Sequence, residues 1–244
     1  MGDKSAPVVK VTYALRHLPS RGQNIFYVLF LVLSPVLNTL INQFALVDFR
    51  LLSRHAARHP LADRNQVSEV SGQLFGILLL IFGISLVLAL QRRQRRIRKS
   101  LFLFGAFSSV YLLINLCMAS YGIFAFKVES TDLLVISAGL YVSLNIVFLF
   151  WYWYFDYPAQ VRRLHHSESP CQTSFPANKS IGKAAWVPSF LDYLYLTIMV
   201  SNTLGPPEDH SPVGDRVKVV QLVHSTAMLV LLVIFVSRAI NTLV

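Results

Sequence analysis

The sequence predicts an all-α integral membrane protein with five transmembrane helices plus a short re-entrant helix, or sixth crossing, just before the last of them. Hydrophobic residues fill 54% of the 244 positions and charged residues only 14%, too little polar surface to cover the core of a soluble domain. Five apolar runs are long enough to cross a hydrocarbon layer of about 30 Å. A sixth run, Phe190 to Val200, is not: about 11 residues rise only about 17 Å as a helix.

Taken in order, residues 1–23 form a basic N-terminal segment and residues 24–155 a membrane domain of four helices. The first helix, Ile25 to Val47, is of spanning length and follows a polar, basic stretch, so it is expected to stay in the mature chain rather than leave as a secretory signal. Leu74 to Leu90, Leu101 to Phe126 and Leu133 to Phe155 supply the next three helices. The amphipathic rings of Trp151, Tyr152, Trp153 and Tyr154 prefer the head-group level and place the end of the fourth helix there. Residues 156–185 read as a polar loop, divided by Pro158, Pro170 and Pro176 and too poor in apolar residues for a core of their own. Residues 186–244 hold the short apolar run, a turn and the last helix, Val217 to Val236. No internal repeat divides the membrane domain further.

The net charge of +10 would point to nucleic acid in a soluble protein. Here the basic residues flank apolar helices, so anionic lipid is the expected partner and nucleic acid is not. Six basic residues lie between Arg92 and Lys99, the strongest positive-inside signal, and they place that loop in the cytoplasm; a multi-pass protein of the inner (cell) membrane is expected. From that anchor the N-terminus and the 156–185 loop fall inside and the Lys127 to Asp132 turn outside; the loop Asp48 to Glu69 also falls outside, against its own arginines. Length argues that the short segment re-enters, and charge argues that it crosses. Cys117 falls within a helix and Cys171 in a loop, so a disulfide between them is not expected.

The functional candidates gather in the last fifth of the chain. Thr203, Leu204, Gly205, Pro206 and Pro207 form a filter-like turn after the short helix, whose C-terminal dipole end and loop carbonyls would face a cation. Glu208 and Asp209 follow at once and, repeated around a symmetric oligomer, would attract cations to a mouth; Asp215 lies close by. A solvated loop is the plain alternative for these acids. Asp192 opens the short helix, where a carboxylate caps the positive dipole end or takes part in cation attraction. His224 lies two turns into the last helix, suited either to a hydrogen bond with a neighbouring helix or to proton transfer.

Metal and enzyme signals are weak. His165 and His166 with Cys171 lack the paired spacing of a zinc site, and His55 with His59 has no third ligand nearby. Ser225 and His224 are adjacent on one helix and point apart, so with Asp192 they make no hydrolase triad. No phosphate loop or dinucleotide fingerprint occurs. Neither an enzyme nor a cofactor is expected.

Phe190 to Thr197, then Thr203, Leu204 and Gly205, Pro212, and a helix closing on Ser237, Arg238 and Ala239 resemble the pore helix, filter and inner helix of small bacterial potassium-channel-like proteins. Phe148 to Trp153, Asp156, Trp186 to Thr203 and Arg238 to Asn241 resemble more closely a group of uncharacterised bacterial polytopic membrane proteins with the same tail. The first resemblance implies a pore hairpin and the second a fold without a reaction. The sequence departs from the channel pattern at Pro207, because proline holds φ near about −65° and denies the left-handed turn that the second filter glycine supplies. The expectation is passive permeation of a small cation through a homo-oligomeric pore, a tetramer by analogy, without a conventional potassium filter. The competing expectation is a non-conducting membrane protein that keeps the hairpin for assembly or lipid contact.

Overall fold

The computed structural model describes residues 29–37, 76–77, 80, 84, 94–125, 130–165, 171–176 and 186–243. Four long elements and one small ladder dominate them: α1 (Gln94–Ala125), α2 (Ser130–His165), β1 (Thr173–Ser174), α3 (Phe190–Thr203), β2 (Ser211–Pro212) and α4 (Asp215–Leu243). Residues 29–37, 76–77, 80 and 84 are also helical and fall inside the first two expected crossings. The rest of those two crossings, the loop Asp48 to Glu69 with His55 and His59, and the basic N-terminal segment lie outside the described residues.

Among the described residues, three helices are long and apolar enough to cross a membrane: Arg98–Cys117, Leu133–Arg163 and Asp215–Ile240, of 20, 31 and 26 residues. They correspond to the third, fourth and last of the expected crossings, and they make this a helical membrane protein. α3 has 14 residues, about 21 Å of helix, and falls short.

α2 differs from expectation at its C-terminal end. The aromatic cluster Trp151 to Tyr154 does not end it; the helix continues to His165, through Pro158. Proline removes one backbone donor, yet the helix goes on because its far end is packed: Asp156, Ala159, Gln160 and Arg163 recur at helical spacing and are all buried. The first ten residues expected in the polar loop are therefore the last turns of a helix. Every position from 143 to 150 is buried as well. Overall 67% of the apolar window of α2 is buried, against 22% of that of α4, so α2 is an inner helix and α4 presents most of its surface outward.

The chain divides into two compact units. Among described residues one comprises 148–229, and the other 29–147 with 230–243. The second is built from apolar helix faces with small polar residues among them; Ser34 Oγ donates to the Ser143 carbonyl at 3.5 Å, and Asn115 and Asn145 turn back to the carbonyls of Tyr111 and Tyr141. The first holds every functional candidate of the last fifth of the chain up to His224.

Candidate functional site: a short helix, its return leg and two buried polar nodes

α3 begins where its sequence places a cap. The Ser189 hydroxyl accepts the Asp192 N–H at 3.4 Å, and the Asp192 carboxylate accepts the Ser189 N–H at 2.7 Å and its hydroxyl at 2.6 Å. This reciprocal capping box satisfies orphan donors of the first turn. Of the two roles expected for Asp192, the structure engages it in the cap.

The helix ends on Leu204, which takes the left-handed conformation with φ 55°. An L-residue meets a steric penalty there, and glycine is the usual occupant. Gly205 follows it outside that region, so the glycine sits one position late for the role. The Thr203 hydroxyl lies 2.8 Å from the Met199 carbonyl and 2.9 Å from that of Gly205, tying the turn to the last helical turn. Thr203, Leu204 and Pro206 are exposed, and Pro207 is buried. The Pro207 carbonyl then accepts the His210 N–H at 3.0 Å across a tight turn with Glu208 and exposed Asp209 at its centre, Asp209 having φ 61°. Both acids expected to attract cations thus project from one exposed turn.

After this turn the chain has come back to where α3 started. The His210 ring packs edge-on to Phe175 at 5.3 Å and against Tyr195 at 5.8 Å, while Phe175 packs edge-on to Tyr193 at 5.6 Å. These contacts bring His210 back beside Tyr195, about 12 Å of helix from Thr203. Ser201, near the far end of α3, meets His224, past the second turn of α4. α3 and α4 therefore start at the same end and run parallel, and residues 204–214 form a return leg between them.

The leg is tied to the connection between α2 and α3. β1 and β2 pair antiparallel, with Thr173 opposite Pro212 and Ser174 opposite Ser211. The Gln172 carbonyl accepts the N–H groups of Val213 and Gly214 at 2.8 and 2.9 Å. Thr173 is at a position whose polar backbone groups turn away from β2, so Pro212, which has no N–H, can sit opposite it without loss. At Gly214 a Cβ would meet the amide end of the Gln172 side chain, which would have to swing aside to admit a larger residue. The Gly214 carbonyl accepts the first bonds of α4, from Val217 and Lys218 at 3.1 Å each.

The groups that Thr173 turns away from the ladder go to Asp156 and its neighbour Gln160. The Asp156 carboxylate is wholly buried and accepts the Thr173 N–H at 2.7 Å, the Tyr193 hydroxyl at 2.7 Å and the Gln160 amide at 3.0 and 3.2 Å. The same Gln160 amide donates to the Thr173 carbonyl at 2.9 Å. A buried carboxylate is tolerated only with such partners, and three donors converge on this one from α2, β1 and α3.

A second node lies deeper along the helices. His224, also wholly buried, has Nδ1 3.3 Å from the Tyr152 hydroxyl and Nε2 2.9 Å from Ser201 Oγ, and Phe148 stacks on its ring at 4.2 Å. Ser201 Oγ donates to the Thr197 carbonyl at 3.1 Å. The tautomer that satisfies all three groups carries the proton on Nε2, donating to Ser201, with Nδ1 accepting from Tyr152. Of the two roles expected for His224, the geometry gives it the interhelical hydrogen bonds.

The exposed acids of the turn stand out in the sequence, whereas Asp156 reads there as the first residue of a polar loop and as one residue of a family resemblance, with no role of its own. One signal could have found it: Tyr152, Asp156 and Gln160 are spaced one helical turn apart, and an acid that close to an apolar run needs a named partner. Among the described residues no group of three or more His, Cys, Asp or Glu side chains is arranged to hold a metal ion. No protein-family model, curated protein or solved structure matches the chain.

Proposed function

We propose that this is an ion-channel-like protein in which α3, the return leg and α4 line a passive path for a small cation in a homo-oligomer, a tetramer being the expected order. The observation that carries the reading is the parallel course of α3 and α4 with the leg 204–214 returning between them. A helix of about 21 Å, shorter than the hydrocarbon layer, whose chain comes back alongside its first turns is read as a re-entrant segment, which makes five crossings rather than six. The α3 C-terminus, its dipole's negative end, then finishes at exposed Thr203 and Leu204. Non-helical backbone at membrane depth is tolerated only where it is buried or lines a water-filled path, and in an oligomer the leg would line one. The outward surface of α4 offers area for lipid and for neighbouring copies.

In this reading Glu208 and Asp209 raise the local cation concentration at the mouth, while the basic flanks of the helices face anionic lipid of the inner membrane. No catalytic step, metal or cofactor is assigned. The left-handed positions of the turn are Leu204 and Asp209, and Pro206 and Pro207 stiffen the stretch between them. The carbonyl ladder of a potassium filter therefore cannot form, and flux should distinguish potassium from sodium little. Purified protein in liposomes under a salt gradient tests the reading: cation flux with weak potassium preference is expected. Absence of flux, or monomers alone by native mass spectrometry in mild detergent, would remove it.

One observation is shared with the non-conducting alternative. The return leg is fastened to its own chain through β1 and Asp156, which suits a scaffold for assembly or lipid contact as well as a pore.

A further inference from the structure

We infer that Asp156 is the positioning residue of the mouth: through Thr173 it braces the return leg from inside its own chain, so that the connection between α2 and α3 sets how the exposed turn Thr203–Asp209 stands. The inference rests on the permeation reading for its effect on flux, and on geometry alone for the brace.

The chain of contacts is continuous. Asp156 takes the Thr173 N–H and the Tyr193 hydroxyl, both at 2.7 Å, on separate carboxylate oxygens. One bond holds the α2–α3 connection and the other the first turns of α3. Gln160 closes the bracket by donating to both Asp156 and the Thr173 carbonyl, so both backbone polar groups of Thr173 are held from α2. The other side of the same strand, at Gln172 and Ser174, holds the leg through Val213, Gly214 and Ser211. β1 is thus a two-sided strap, with α2 on one side and the leg on the other. Beyond this strap the rings of Phe175 and Tyr195 pack on His210 of the leg. A two-residue ladder has little stability of its own, and the carboxylate decides where it sits.

The Thr173 side chain takes no part in the strap. Its hydroxyl is buried without a hydrogen-bond partner, as is Gln160 Oε1, and the residue is 2% exposed. A cysteine there reports release of the strap without cutting any of its bonds.

The test uses the full-length protein in liposomes, with Cys117 and Cys171 replaced by alanine and Thr173→Cys as the reporter of maleimide labelling. Asp156→Asn turns one carboxylate oxygen into a donor facing donors and should raise the labelling rate roughly tenfold or more; Tyr193→Phe, which removes one bond, should raise it roughly two- to fivefold, as graded local opening requires. Asp156→Glu should restore part of the protection, and Asp192→Asn, which weakens the α3 cap but not the strap, should leave it unchanged. If Asp156→Asn does not fold, the Tyr193→Phe and Asp192→Asn pair decides. In the flux assay the strap variants should admit larger organic cations relative to sodium. Equal protection of the reporter thiol in all variants, or an equal rise with Asp192→Asn, overturns the brace. Absence of flux in the parent protein would instead sink the permeation reading, because labelling needs no conduction.

Discussion

Asp156 and His224 are equally buried, yet they control different parts of the molecule. Asp156 accepts from three donors, two of them on the return-leg strap and on α3, and one of those donors is a backbone N–H. His224 joins side chains only, Tyr152 of α2 and Ser201 of α3, across regular helices. A helix satisfies its own backbone, so the His224 node adjusts how three helices pack. A loop does not, so the Asp156 node decides where the loop is. The difference also sets what each site tolerates: a donor facing three donors is a conflict, whereas the histidine site needs one donor and one acceptor.

Substitutions at the two nodes can break this comparison. Asp156→Ala leaves the Thr173 N–H, the Tyr193 hydroxyl and the Gln160 amide without their acceptor, and should cost about 3–5 kcal/mol of stability; a thermal melt in detergent little different from the parent would show that the strap is ornamental. His224→Ala removes a stacked ring and two hydrogen bonds, for about 2–4 kcal/mol. Tyr152→Phe, deleting one bond at 3.3 Å, should cost about 1 kcal/mol. Protection of the reporter thiol of Thr173→Cys should be untouched in both, because neither residue holds the strap. Increased labelling of that thiol in His224→Ala would mean that the two nodes are one cooperative unit.

Smaller effects sharpen it. Asp192→Ala breaks the capping box and should cost about 0.5–2 kcal/mol, seen as lower yield of assembled protein with no dependence on salt. Glu208→Gln with Asp209→Asn should leave the melt unchanged, since both side chains are exposed, and lower cation flux at low salt more than at high salt, as charges more than about 10 Å apart are screened in 0.1 M salt. Equal flux at every ionic strength would class the two acids as ordinary loop residues.

Much of the local structure was legible in the sequence. The short α3 follows from run length, and the capping role at its start was readable from Asp192; that Ser189 is the partner closing the box is a finding of the structure. The end of α2 was not legible, because Pro158 and the polar composition after Trp153 resemble a loop; the helix persists through tertiary burial of Asp156, Ala159, Gln160 and Arg163. Leu204 in a left-handed cap is likewise a choice that local preference opposes. The stapled leg that follows it holds that turn in place.

By itself, then, the sequence determined what depends on nearest neighbours and on the solvent: where apolar helical segments lie, that α3 is short, and that Asp192 caps its start. Only the tertiary structure decided that α3 and α4 run parallel, that the leg returns, and that Asp156 rather than the exposed acids anchors it. The Asp156 carboxylate meets partners 17 and 37 residues away, and His224 meets one 72 away. No period or spacing along the chain encodes such pairs, because they are selected by the requirement that every buried donor and acceptor find a partner once the helices have packed.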